Sequence, residues 1–149
     1  MARKLILILC ALFVTATAVQ AENERRPVGL VKVAAGDAAI LREGQRIVAQ
    51  PGIQVVQGDI LSTGAKGSMG VILRDDTLLS LGPSSEIHLE QFVFDPPKQK
   101  LGMVLRVTHG MIGYISGKMA KLAPGSVHIE TPVATLGVRG TYLAARIVP

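Results

Sequence analysis

An all-β fold is what this sequence predicts, and three observations predict it. From Val28 onward the chain is a series of short apolar or alternating runs, each of strand length and each ended by turn residues. Glycine punctuates those runs, with 16 in the 149 residues. No window past the N-terminal segment sustains helical periodicity. The nearest, "GKMAKLAPG" from Gly117 to Gly125, is too short and too interrupted to predict a helix.

Taken in order, the runs are "VGLVKVAAGD", "AAILREGQRIVAQPG", "IQVVQGDILSTGAKG", "SMGVILRDDTLLSLGPSSE" and "IHLEQFVFDPP". After the exposed connection Asp95–Lys100 come "KLGMVLRVTHG", "MIGYISG", "SVHIETPVATLGVRG" and "TYLAARIV". Alternation assigns their faces. Val71 and Leu73 share one face, as do Leu79 and Leu81, with Asp75-Asp76 between them as a solvated hairpin turn. Ile87 and Leu89 point inward against Glu86, His88 and Glu90; Val127 and Ile129 point inward against His128. Many short strands at close spacing predict an all-β domain whose strands curl into two sheets or into β-solenoid-like coils around an aliphatic core.

The first residues have a different character. "MARKLILILCALFVTATAVQA" places Arg3 and Lys4 before an apolar run, Leu5–Val14, and then small residues. That order predicts a secretory signal peptide over residues 1–21, cleaved after Ala21 or alternatively after Ala18. The apolar run is short for a membrane-spanning anchor. Residues 22–149 then form a single exported domain, and a chain of that size buries roughly two-thirds of its surface on folding. The single cysteine, Cys10, lies in the leader, so the exported domain has no disulfide and no thiol chemistry. Cleavage removes Arg3 and Lys4 from the 16 basic residues and leaves all 11 acidic ones. The remaining excess is small and spread out, which argues against a nucleic-acid partner.

The familiar constellations of catalysis are missing. His88, His109 and His128 lack the spacing of a zinc site. Glu86, His88 and Glu90 share a strand face that could hold a metal, but a solvated outer face accounts for them, and no metal is expected. His109 reads as a strand-end histidine, partly buried and hydrogen-bonded. Neither "GPSSE" nor "KGSMG" is a nucleophile elbow, and neither "STGAKGS" nor "ISGKM" completes a phosphate loop. Asp75 and Asp76 lack the contrast of environments that an acid–base pair needs. Aromatics past the leader are only Phe92, Phe94, Tyr114 and Tyr142, a poor stacking platform. The expectation is a non-enzymatic module without cofactor.

One resemblance carries further. "GDILSTGAKGSMGVILRDDTLLSLGPSSEIHL", then "GMIGYISG" and "VHIETPVATLGVRGTYL", is similar to the FecR domain family over roughly Gly58–Leu143. The matching positions are Gly58, Asp59, Leu61 and Thr63; Leu81, Gly82, Pro83 and Ser85; and Thr131, Pro132, Ala134 and the run Gly137-Val138-Arg139-Gly140-Thr141. Asp76 stands where that family usually has glycine. Physical chemistry gives these positions framework roles. Pro132 suits a strand entry, Gly137 and Gly140 allow backbone or contacts that a Cβ would block, Arg139 can grip carbonyls or a carboxylate, and Thr141 can close the turn. An anionic ligand on Arg139 is the alternative.

The resemblance implies a periplasmic protein–protein interaction module in envelope sensing, signalling or assembly, whose partner is an envelope protein such as a membrane sensor or an outer-membrane receptor. The anti-sigma segment and membrane span of the iron-signalling members have no counterpart here, so direct sigma-factor contact is not expected. The alternative is a module that binds cell-wall glycan or another envelope polymer.

Overall fold

The computed structural model describes residues 25–140 and 142–148. The expected leader and its cleavage sites lie outside the described residues, as does Thr141. The strands are β1 (Pro27–Ala35), β2 (Ala38–Arg42), β3 (Gln45–Val48), β4 (Gln54–Val56), β5 (Ile60–Thr63) and β6 (Ser68–Leu73). They continue with β7 (Leu78–Leu81), β8 (Glu86–Asp95), β9 (Lys100–Ile115), β10 (Val127–Glu130), β11 (Thr135–Gly137) and β12 (Tyr142–Ile147). The all-β class predicted from the sequence is what forms. Of the two geometries expected, the ladders make the curled one. They run β3-β2-β5-β8-β9-β7-β6-β1-β4 through antiparallel pairs, with β10 and β12 also on β9 and β11 on β10. Only the β10–β9 ladder is parallel among the described strands.

One strand joins the two halves of this sheet. The first part of β9 pairs with β8 and β10, whereas Gly110–Ile115 pairs with β7 and β12. The halves fold over a single aliphatic core, to which Ile40, Leu61, Ile87, Leu89 and Leu105 come from one side and Val31, Val71, Leu79 and Tyr114 from the other. Burying each such side chain contributes about 1.5–3 kcal/mol. The alternation read from the sequence supplies them: Val71, Leu73, Leu79, Leu81, Ile87, Leu89, Val127 and Ile129 are all buried, and His128 is exposed.

The sequence suggested two strands where β9 is one. The glycine between them, Gly110, bends the strand instead of ending it. Its φ is +100°, a conformation that L side chains rarely adopt. A Cβ there would also overlap the Cα and Oγ of Ser85 and the carbonyl of Ser84. The segment before β8 is strapped across this bend. The Gly82 N–H donates to the Met111 carbonyl at 2.8 Å, and the Ser85 hydroxyl accepts from the Met111 N–H at 2.9 Å. That same hydroxyl lies 3.0 Å from the Met111 carbonyl and 3.1 Å from that of Pro83. Thr63 holds the strap from the other side. Its hydroxyl donates to the Gly82 carbonyl at 2.6 Å and accepts from the Ser85 N–H at 3.0 Å, while its own N–H reaches the Ser85 carbonyl at 2.9 Å.

A short helix, α1 (Lys118–Leu122), forms where none was expected. Intrinsic propensity does not make a five-residue helix; packing does. Met119 and Ala120 enter the core, and the backbone ahead of them is tied to Asp75. The connection Asp95–Lys100 contains a 3-10 turn, Pro96–Lys98. It joins β8 to β9 as a hairpin, with Asp95 opposite Lys100.

The bend generates a paired prediction. Gly110→Ala meets both a forbidden φ and a backbone overlap and should cost at least about 3 kcal/mol. Gly137→Ala, at ordinary φ with no described atom within 4 Å of its Cβ position, should leave stability unchanged or raise it by up to about 1 kcal/mol. Urea denaturation midpoints of the two variants decide it, and equal midpoints would refute the role given to Gly110.

Candidate functional site

The residues singled out by motif divide into two sets. The first is internal. Gly58 takes a φ of +91° in the turn between β4 and β5, and its N–H donates to the Leu89 carbonyl at 2.8 Å. Asp59 is wholly buried. Its carboxylate accepts Arg42 Nε at 2.8 Å and Nη2 at 2.7 Å, as well as the Val56 N–H at 2.9 Å. This fork joins β2 to the β4–β5 turn. The Asp59 hydrogen bonds push the Arg42 pKa above its usual value, against the opposing effect of burial. Thr63, Gly82, Pro83 and Ser85 form the strap across the β9 bend.

A third internal knot was misread from sequence. Asp75 and Asp76 are not a solvated pair: Asp75 is wholly buried. Its carboxylate accepts the Thr77 N–H at 3.1 Å, the Thr77 hydroxyl at 2.8 Å and the Met119 N–H at 3.3 Å. Its backbone carbonyl accepts Lys118 N–H at 2.6 Å, and the Thr77 hydroxyl accepts Gly117 N–H at 3.2 Å. Asp75 therefore caps α1 from a distant hairpin. Asp76 faces solvent with a φ of +66°, which explains why glycine suits that position, and pairs with Lys118 at 2.8 Å. The Asp-x-Thr spacing was the available signal, since such residues bond their own backbone two positions on.

The second set is external. Thr131 closes a turn with Ala134: its N–H and hydroxyl donate to the Ala134 carbonyl at 2.8 and 3.0 Å, and the hydroxyl accepts the Ala134 N–H at 3.1 Å. Pro132 and Val133 protrude at the tip, Val133 at 92% exposure. The framework reading of Gly137 and Gly140 is not what forms. Both have ordinary φ, and a Cβ on either would meet nothing within 4 Å among the described residues. The reason is topological: among the described strands β11 pairs only with β10, so this hairpin hangs at the sheet margin, held by the buried Val138, whose N–H reaches the Val127 carbonyl at 3.1 Å. Arg139 is exposed and has no hydrogen bond or ion pair among the described residues.

Beyond it, β12 lies on β9 and leaves its other edge unpaired among the described strands. Leu143, Ala145 and Ile147 pack toward the core, while Tyr142, Ala144 and Arg146 face out. At its C-terminal end a cleft of about 500 Å³ opens beside the bend, walled by Pro83, Met111, Ile147 and Val148, with His109 and Arg146 among its lining. Main-chain donors and acceptors along an open edge, next to an apolar cleft, are the equipment for receiving an extended peptide.

The Glu86–His88–Glu90 face takes a different form from a metal site. His88 Nε2 lies 2.8 Å from Glu86 and its Nδ1 3.8 Å from Glu90. Thr108 donates to Glu86 at 3.0 Å and lies 3.0 Å from His109. Glu86 and His88 are half-buried and Glu90 is exposed. Among the described residues, no three His, Cys, Asp or Glu side chains are grouped to hold a metal ion. Partial burial pushes the Glu86 carboxyl up, but hydrogen bonds from His88 and Thr108 and the charges of His88 and His109 outweigh it. Its pKa thus lies below the ordinary glutamate value.

A family model described as FecR protein matches residues 59–147, and the chain belongs to that family. No curated protein and no solved structure matches it. The match starts at the buried Asp59 and ends on β12, so it takes in the strap, the bend and the margin hairpin. FecR domains are signalling-related and typically periplasmic. No helix among the described residues is long and apolar enough to cross a membrane.

Asp75→Ala leaves buried N–H groups of Thr77 and Met119 without their acceptor and should cost about 2–4 kcal/mol. Helical content should fall before the sheet melts, a sequence readable by circular dichroism on heating. Glu86 makes a pH prediction. Its folded pKa is depressed, so its contribution is present above the unfolded glutamate pKa and is lost as pH falls through the lower folded value. Urea midpoints should therefore decline on the acid side, and Glu86→Gln should flatten that limb; an unchanged limb would show that Glu86 is not its source.

Proposed function

We propose that this chain is an exported, non-enzymatic FecR module that mediates protein–protein interaction in envelope sensing, signalling or assembly. Its partner is an envelope protein, a membrane sensor or an outer-membrane receptor, which docks an extended segment against the open edge of β12 and the cleft beside the β9 bend. The observation that carries this reading is the pairing of that open edge with the adjoining apolar cleft. Open edges are normally blunted or covered in proteins that remain alone, and Tyr142, Met111 and Val148 are all exposed here. Backbone bonds to the edge supply affinity, and the cleft selects the side chain that enters it. His109 and Arg146 favour a segment with an acidic residue beside its apolar anchor.

A photocrosslinker placed at Tyr142 or Val148 in the bacterial envelope should capture one envelope protein through one short segment. The same probe at Val48, exposed on β3, should not. The captured segment, made as a peptide, should slow amide exchange along β12, and Met111→Asp should weaken it about tenfold or more while the melting temperature holds. Protection confined to another edge, or capture equally efficient from Val48, would overturn the assignment.

A further inference from the structure

The outer faces of the two halves of the sheet differ. On the half built around β8 and the first part of β9, outward side chains are charged and paired. His88 meets Glu86 at 2.8 Å, and Arg106 lies between Glu90 at 3.1 Å and Glu130 at 3.3 Å. The other half runs β1-β6-β7-β9-β12, with β9 contributing Gly110–Ile115. These five segments hold only two charged residues, Lys32 in the β1 bulge and Arg146 near the end of β12.

The ladders align this second face into rows. Leu30 pairs with Ile72, Ile72 with Leu78, Leu78 with Ile115 and Ile115 with Tyr142. The next residues along, Val31, Val71, Leu79 and Tyr114, lie in the core, so alternation turns the five large side chains outward. Leu30, Leu78, Ile115 and Tyr142 are 38–69% exposed, and Ile72 is half-buried. Two residues further along each strand the side chains are small: Gly70 pairs with Ser80, Ser80 with Gly113 and Gly113 with Ala144. Val33 ends this row on β1 and leans over Gly70, where a Cβ would come 2.8 Å from its Cγ2. An apolar ridge thus crosses five strands beside a shallow trough, with no charge in either.

Ridge and trough complement each other under one operation. A two-fold axis lying across the strands, midway between the rows, turns a second copy face down and sets its ridge on the first copy's trough. Leu78 then covers Ser80 of the second copy, Ile115 covers Gly113, and Tyr142 covers Ala144. Each contact recurs in reverse, as a closed dimer requires, and the two sheets pack with their strands nearly aligned. A face without charge offers nothing to a charged partner and strands no charge against its own kind. Its footprint is roughly 300 Å² per copy, from a strand spacing of about 4.8 Å and a rise of about 3.3 Å per residue. Apolar patches of that size mark interaction sites. The area falls below the ~1,200 Å² total of tight complexes, which sets the pair among weak, reversible ones.

We propose that two copies of this chain associate face to face through the outer surface of β1, β6, β7, β9 and β12, ridge into trough. The proposal does not rest on the partner-docking reading. The free edge of β12 stays at the rim of the contact, so the pair presents two such edges.

Sedimentation equilibrium of the purified chain tests it. A monomer–dimer equilibrium is expected with a dissociation constant on the order of 10–100 μM, no weaker at high salt than at low, since apolar contact is not screened. Leu78→Lys and Ser80→Glu each place a charge in the contact and should weaken the dimer about tenfold or more. Both positions are exposed, and circular dichroism should show the fold retained. An equimolar mixture of the two variants should recover a mixed dimer close to the original affinity, because the operation sets the new lysine of one copy on the new glutamate of the other. Val48→Lys, on β3, should change nothing. A chain that stays monomeric at about 500 μM would overturn the proposal, as would a dimer that persists in both variants or a mixture that fails to recover. So would a monomer that takes lipid vesicles or another envelope protein onto this face in place of its own copy. Leu78 and Ser80 are separated from β12 by β9, so failure here leaves the β12 docking reading to its own crosslinking test.

Discussion

The structure depends on the bend of β9 at Gly110. One strand serves both halves of the sheet, and the halves can face a common core only if that strand turns without losing its ladders. Glycine supplies the turn, and its missing side chain supplies the room through which Ser84 and Ser85 pass. A turn made this way is open to slippage unless something fixes its register. Thr63 and Ser85 do so, with hydroxyls that both donate and accept within a buried corner. At the bend the Met111 N–H is answered by the Ser85 hydroxyl and the Met111 carbonyl by the Gly82 N–H, as burial demands.

The same logic explains why so small a core tolerates two buried carboxylates. A buried charge is costly unless hydrogen-bonded on every side. Asp59 receives a guanidinium fork and a backbone N–H, and Asp75 receives a hydroxyl and two backbone N–H groups. Each joins elements distant in sequence: β2 to the β4–β5 turn in one case, the β6–β7 hairpin to α1 in the other. Having no cysteine among residues 25–148 to staple such connections, the domain uses these knots, and breaking one exposes unsatisfied groups on both sides. Salt bridges on the surface, such as Arg25–Glu43 and Lys118–Asp76, contribute far less because water screens them.

The legible part of this fold was the part written in alternation. Leu79 and Leu81, Ile87 and Leu89, Val127 and Ile129 fall inward as their period-2 spacing requires, because each strand has one face on the core. What was not legible depends on contacts between distant residues. Gly110 looked like an end because a glycine inside a strand pattern has the same spelling as a glycine between two strands. Asp75 looked solvated because adjacent aspartates in a turn usually are; only the arrival of α1 some forty residues later buries it. Gly137 and Gly140 misled in the opposite direction. They suggested tight packing, yet the β10–β11 hairpin hangs where little packs against it.

That contrast separates the motif residues by what they serve. Those around Gly58, Asp59, Thr63, Gly82, Pro83 and Ser85 are consumed by the fold: their hydrogen bonds and torsions are spent on turns that hold the sheet together. Gly137 and Gly140 are not. Glycine in a strand costs roughly 0.5–1 kcal/mol relative to alanine through the freedom it loses on folding, and here neither a positive φ nor a close neighbour within the described chain offsets that loss. A missing Cβ that the fold itself does not use is space kept open at the surface. Beside it run the edge of β12 that no described strand pairs and an exposed Arg139, whose planar donors suit carbonyl or carboxylate oxygens. The buried half of the motif makes a stiff corner, and β12 is anchored on β9 beside it; on the reading proposed above, an edge held that firmly would receive a partner's backbone with little further ordering required.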